Sequence, residues 1–223
     1  MKLLAFDTAT EWCTAALWLD GEVHAVEVEA GQAHSRLLLP MLRELLATAG
    51  LTLGALDGIA FGRGPGSFTG LRIACSVAQG LGLGAELPVL GVTSLEAMAE
   101  ETGAARVLAA LDARMGELYG ALLERAGEDW RWLEGPALYR PEAAPLPSDT
   151  GWVGCGSAFH AYAEAMTPRY AGRLTAVMPQ VIPHARAIAR LAAARFARGE
   201  GVPAEAAEPY YVRDKVALKT CER

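Results

Sequence analysis

Between Gly62 and Gly84 the chain reads Gly-Arg-Gly-Pro-Gly-Ser-Phe-Thr-Gly-Leu-Arg-Ile-Ala-Cys-Ser-Val-Ala-Gln-Gly-Leu-Gly-Leu-Gly, a glycine-dense loop that runs straight into a helical pattern. Gly64-Pro65-Gly66 demands a tight turn, and Ser67 or Thr69 is placed to cap the helix by accepting a bond from an unpaired N–H of its first turn. A helix start of this kind can cradle an anion, but no Gly-Lys-Ser/Thr follows, and Arg63 and Arg72 are the only cations close by. Within the helix, Gly70, Ala74, Ala78 and Gly82 recur at steps of four and form one smooth row. Such a row suits close approach of a second element, either the chain's own sheet or another subunit, while Leu71, Ile73, Val77 and Leu81 supply the other faces.

At 223 residues with 52% hydrophobic and 21% charged residues, the chain has material for one large or two small packed domains. A formal net charge of -6 and the lack of a basic run exclude a chain that grips nucleic acid unaided, since phosphate neutralisation needs clustered Lys and Arg. Trp12, Trp18, Trp130, Trp132 and Trp152 are therefore expected to be packing residues rather than base-stacking platforms. Cys13, Cys75, Cys155 and Cys221 lie too far apart for a zinc pair or a disulfide scaffold, and His24, His34, His160 and His184 are as scattered, so no metal site is expected. Met1 leads directly into Lys2-Leu3-Leu4-Ala5-Phe6, which leaves no room for a signal peptide, and no apolar run reaches membrane-span length. A cytoplasmic protein is expected.

Along the chain, Leu3 to Thr8, Cys13 to Leu19 and Val23 to Glu29 read as strands, with Asp20-Gly21 as a hairpin turn. Leu37, Leu38, Met41, Leu42, Leu45 and Leu46 predict an amphipathic helix over 33–49, ended by Gly50. A strand at Asp57 to Gly62, the small-faced helix, a strand at Val89 to Val92 and a helix opening near Thr93 or Ser94 complete a first half. The pattern then restarts: Val107 to Asp112 ends an apolar strand on an aspartate, as Leu3 to Asp7 does, and Glu117 to Leu123 follows as a second strand. Two α/β lobes are predicted, 1–104 and 105–223. The second continues through Trp152-Val153, the turn Gly154-Cys155-Gly156, a surface loop at Pro141 to Pro147 and a helix between Pro183 and Gly199.

Two lobes that each open on a strand, an aspartate and a turn resemble the actin-like and sugar-kinase ATPases with their ribonuclease-H-like sheets. In such enzymes the aspartate turns hold phosphates and magnesium and a glycine-led turn in the second lobe holds adenosine, which places Asp7 and Asp112 on magnesium and Gly154 to Gly156 near adenosine if this chain uses ATP. Neither Asp7-Thr8-Ala9-Thr10 nor Asp112-Ala113-Arg114-Met115 carries the glycine that lets backbone approach a phosphate, so the turns read as degenerate. A hydrolase using Ser67 or Ser35 with a histidine, suggested only by Ser35 beside His34, is weaker still. Neighbours on a helix diverge, and no Gly-x-Ser-x-Gly elbow occurs.

The segments Phe6-Asp7-Thr8-Ala9-Thr10, His34 to Pro40, Gly62 to Arg72, Gly91-Val92-Thr93-Ser94-Leu95 and Pro209-Tyr210-Tyr211-Val212-Arg213 together resemble the bacterial TsaB family, also called YeaZ. The resemblance implies a non-catalytic partner of the paralogue TsaD, which transfers a threonylcarbamoyl group to the adenosine next to the anticodon of tRNAs. TsaE, an ATPase, binds the pair. In TsaD two histidines on the first helix hold a metal; here His34 stands alone, with Leu38 one turn later. The resemblance further implies no cofactor of its own, tRNA contact only within the complex, and a homodimer when the partner is absent. The pairing surface would lie on the helices at 33–49 and 69–83, with Leu38, Leu42, Gly70, Ala74 and Ala78 as the expected contacts.

Overall fold

The computed structural model describes residues 1–213, so Cys221 and the end of the predicted second lobe lie outside the described residues. β1 (Lys2–Asp7), β2 (Trp12–Leu19) and β3 (Glu22–Glu29) form an antiparallel meander, and Asp20 and Gly21 turn its second corner with positive φ. Helix α1 (His34–Thr48) leads to β4 (Gly58–Gly64), which lies parallel to β1. Helix α2 (Phe68–Ala85) leads to β5 (Val89–Thr93), parallel to β4. α3 (Ser94–Thr102) opens on a capping box between Thr93 and Glu96 and ends at Gly103 in the left-handed region.

The second sheet repeats the first. β6 (Arg106–Arg114), β7 (Glu117–Ala126) and β8 (Asp129–Tyr139) make an antiparallel meander, and β9 (Trp152–Cys155) and β10 (Leu174–Met178) add in parallel, with α4 (Ala158–Ala161) and α5 (Ala163–Arg169) between them. The sheet orders, β3-β2-β1-β4-β5 and β8-β7-β6-β9-β10, coincide strand for strand. This duplicated α/β arrangement is the two-lobed actin-like fold with a ribonuclease-H-like sheet in each lobe. Strands β8 and β10 were not anticipated. The first is irregular in register around Gly135-Pro136, and the second is a short edge strand without a buried face, so neither shows clean alternation.

Five layers result. α1 and α2 cover one face of the first sheet over Leu4, Phe6, Ala15, Leu17, Ile59 and Phe61, and α4 and α5 cover the far face of the second. Between the sheets lie α3 and α6 (Ala185–Ala197). A helix with a sheet on either side needs small apolar residues around most of its girth, which Ala185, Ala187, Ala189 and Ala192 provide beside Ile188 and Leu191. α6 follows the second sheet in sequence but packs on β1, β2 and β4 of the first. Its first turn is fastened there, because Thr14 Oγ1 accepts the Ala185 N–H, while His184 Nδ1 caps the helix itself by accepting that of Arg186.

The smooth row on α2 faces inward. A Cβ on Gly70 would stand 1.8 Å from the Thr8 carbonyl oxygen, and one on Gly82 would meet Val89 and Ala204 at 2.8 Å. Gly80, on the opposite side of the helix, has open space. Gly70→Ala is therefore expected to destabilise the chain by about 3 kcal/mol in urea unfolding, while Gly80→Ala should stabilise it by about 0.5–1 kcal/mol through backbone entropy alone.

Candidate functional site: a filled glycine turn and an open helix face

β4 carries the chain to Gly64-Pro65-Gly66, and Ser67 then caps α2, its Oγ accepting the Gly70 N–H at 3.3 Å. What approaches the glycines is the protein's own first turn. The Ser67 N–H donates to the Ala9 carbonyl at 2.7 Å, and the Thr8 hydroxyl donates to the Gly70 carbonyl at 2.7 Å. A Cβ on Gly62 would fall 1.7 Å from Asp7 Oδ2, and one on Gly66 would fall 2.5 Å from the Ala9 oxygen. Close backbone approach, the property that suits glycine to a phosphate loop, is used here to seat residues 7–9.

The two aspartates of the repeat occupy different environments. Asp7 is 1% exposed and lies beneath the interlobe cleft rather than lining it. Oδ1 accepts the Ala9 N–H at 2.7 Å, and Oδ2 has no hydrogen-bond partner among the described residues. Burial pushes its carboxyl up to about 7, against the opposing pull of the Ala9 bond. Asp112 does line the cleft, but its Oδ1 accepts from the Tyr162 hydroxyl at 2.7 Å and the Arg114 N–H at 2.8 Å, and Oδ2 pairs with the Arg114 guanidinium at 3.3 Å. Burial, with the Asp112 carboxylate beside it, pushes the Tyr162 hydroxyl up to about 12. The glycine turn of the second lobe is filled as well: Cβ atoms on Gly154 and Gly156 would lie 2.5 Å from the Phe159 ring and 2.2 Å from the Met98 methyl. The structure thus does not assemble Asp7, Asp112 and Gly154 to Gly156 around one nucleotide-sized space.

The cleft itself, about 580 Å³, runs between Thr10, Ser67 and Phe68 on one side and Asp112, Ser157 and His160 on the other. The segment from Tyr210 to Arg213 crosses it. The Tyr210 N–H donates to the Arg63 carbonyl at 2.6 Å, Arg72 Nε donates to the Tyr211 hydroxyl at 3.0 Å, and Arg213 pairs with Glu117 at 2.7 Å. Arg72, one of the two cations beside the glycine loop, stacks over Phe68 at 3.8 Å and holds Tyr211. Nothing in the local sequence of either segment signals this contact, which joins residues 139 positions apart.

His34 is buried with Nε2 3.3 Å from the Trp12 carbonyl, while Ser35 is exposed, so the two do not form a catalytic pair. Cys13, Cys75 and Cys155 are buried free thiols, and burial pushes Cys13 up to about 12. The expected partner contacts require a correction. Leu38, Leu42, Gly70, Ala74 and Ala78 are all buried in the first lobe's own core, where they pack against its sheet. The outward faces of the same helices carry Leu39 (49% exposed), Arg36 and Arg43 on α1, and Leu83 (59% exposed) with half-buried Ile73, Val77 and Leu81 on α2. A second smooth row, Ser76, Gly80 and Gly84, runs along this exposed side. Both rows are small at steps of four, so spacing alone does not tell inside from outside.

An actin-like frame whose glycine turns are packed with its own chain defines the class of protein. The chain matches the family model for TsaD, tRNA N6-adenosine threonylcarbamoyltransferase, over residues 26–217. It is 41% identical to the tRNA threonylcarbamoyladenosine biosynthesis protein TsaB of Escherichia coli, over 98% of this chain and 97% of that one, and 38% identical to TsaB of Haemophilus influenzae, over 98% and 96%. The solved structure of YeaZ from Pseudomonas aeruginosa superposes with a TM-score of 0.87 at 42% identity, covering 94% of this chain and 99% of that one. An uncharacterised Pseudomonas aeruginosa protein described as similar to peptidase YeaZ superposes with a TM-score of 0.88, also at 42% identity, over 95% and 99%. The chain belongs to the TsaB (YeaZ) family, and so to the biosynthesis of threonylcarbamoyladenosine in tRNA. Among the described residues no helix is long and apolar enough to cross a membrane.

The raised Asp7 value gives a stability signature. Because the folded state holds this proton up to about pH 7 whereas the unfolded chain releases it near 3.8, the group's contribution is complete below 3.8 and is lost as pH rises through 7. Asp7→Asn keeps an acceptor for the Ala9 N–H and removes the titration. It is expected to be about 2–4 kcal/mol more stable than the parent at pH 8, with the gap closing towards pH 4, as read by denaturant unfolding across pH.

Proposed function

We propose that this chain is the non-catalytic partner of TsaD in the transfer of a threonylcarbamoyl group to the adenosine next to the anticodon of tRNA. It acts as a scaffold that stabilises the active form of TsaD, and the pair together presents the surface that TsaE recognises. Family membership supports the pathway, and the match to the TsaD family model supports a partner of like fold, since two related lobes can pair through equivalent faces.

The observation that carries this reading is the outward face of α1 and α2. An exposed helix-interior glycine costs about 1 kcal/mol relative to alanine, and Gly80 and Gly84 gain nothing within the chain, because a Cβ at either would meet open space. Together with Ser76 they leave a smooth strip flanked by Ile73, Val77, Leu81 and Leu83, which lets another helix come close enough for backbone-to-backbone packing. The filled glycine turns support the non-catalytic half of the reading, because residues 7–9 and the ring of Phe159, rather than a ligand, make the close approach that the glycines allow.

The test is co-purification with TsaD of the same organism, followed by threonylcarbamoyl transfer with TsaE, ATP, threonylcarbamoyl-adenylate and tRNA, with and without this chain. Gly80→Leu is expected to fold normally yet weaken the pair by about tenfold to a hundredfold, with transfer falling in parallel. Equal pairing by Gly80→Leu would move the interface elsewhere. ATP turnover by the isolated chain that disappears in Asp7→Ala would overturn the non-catalytic assignment.

A further inference from the structure

A second unpartnered surface lies at the opposite margin of the first sheet and does not depend on the TsaD reading. β3 is an edge strand that pairs only with β2, and every residue from Glu22 to Glu29 except half-buried Val23 is exposed. The far edge of the same sheet is treated differently. There Val89 on β5 exchanges backbone bonds of 2.8 and 2.9 Å with Val202, which closes part of that edge. Along β3 the outward backbone N–H and C=O groups have no strand beside them among the described residues.

Register determines what stands next to this edge. His24, Val26 and Val28 sit opposite Leu17, Ala15 and Cys13, the buried face of β2 beneath α1, so they point to the α1 side. Helix α1 covers β2 but leaves Val26 39% and Val28 41% exposed. The result is a groove of about 500 Å³ between strand and helix, floored by Leu19, Met41 and Leu45, with Glu44 on its helix wall. The strand carries Glu22, Glu27 and Glu29 and neither Lys nor Arg. Glu27 accepts the Nε2–H of His184 at 2.8 Å and remains half exposed.

We propose that this edge accepts an extended, basic segment of a partner protein as an added strand. Its backbone pairs with β3, its alternate apolar side chains enter the groove beside Val26 and Val28, and its Lys or Arg side chains, on the opposite face, meet Glu27 and Glu29. The acidic residues select the occupant. A second copy of this chain would bring the same glutamates to the same edge, with like charges across the new ladder, whereas a basic strand turns each of them into an attraction.

The test uses the full chain, isotope-labelled, titrated by NMR with a capped eight-residue peptide of alternating lysine and valine, matched to the length of β3. Shifts are expected at residues 22–29 and along the groove face of α1. Val28→Lys, a change at an exposed position, should weaken binding by about tenfold while leaving the thermal transition in place. N-methylation of alternate peptide amides should abolish binding if the backbone pairs. Equal binding by a glutamate–valine peptide, indifference to N-methylation, shifts that map elsewhere, or no binding at all would each overturn the proposal. So would a peptide-free dimer broken by Val28→Lys, which would assign the edge to a second copy.

Discussion

The seating of residues 7–9 inside the glycine turn of β4 and α2 is the contact on which the first lobe depends. Gly62, Gly66 and Gly70 each stand where a Cβ would overlap Asp7, Ala9 or Thr8. That closeness locks the start of α2 against the end of β1 through the Ser67 to Ala9 and Thr8 to Gly70 bonds. With α2 anchored this way, its inward row meets the sheet and the segment around Ala204. Phe68 and Arg72 are then presented to Tyr211, so the path of the C-terminal segment across the cleft follows from the same turn. A steric constraint of this kind is stronger than any single hydrogen bond in the region, since relieving it requires the backbone to move.

The second organising element is the pair of helices between the sheets. α6 returns from the second half of the chain to pack on the first sheet, and its Arg195 reaches Glu96 on α3 at 2.8 Å and Asp129 on β8 at 2.5 Å. Arg195 is largely buried, and the two carboxylates hold its guanidinium in the charged form despite the opposing effect of desolvation. A buried cation shared between α3, α6 and β8 loses its compensation if any of the three shifts, which ties these elements together.

Duplication has preserved topology while chemistry has diverged. Asp7 and Asp112 end equivalent strands, yet the first is sealed against Gly62 and the second is held by Tyr162 and Arg114 at the rim of the cleft. The two surfaces left open by the first lobe differ in the same way. The outward strip of α2 is smooth and largely apolar, which favours helix packing, whereas the β3 edge offers unpaired backbone beside glutamates, which favours an extended basic segment.

The amino-acid sequence by itself determined the element order of the first lobe, the repeat that begins at the second aspartate strand, a capped helix start at Ser67 or Thr69, and the family. All of these rest on local period, turn chemistry or motif, which neighbours in the chain define. Tertiary structure alone decided which of two small-residue rows on α2 faces the core, and so placed Leu38, Leu42, Gly70, Ala74 and Ala78 inside rather than at a partner's surface. It also decided that the glycine turn receives residues 7–9, that Arg72 holds Tyr211, and that α6 crosses back to the first sheet. Each of these is a contact between segments distant in sequence, set by how layers stack. Helical spacing is the same on every side of a helix until something is packed against one of them.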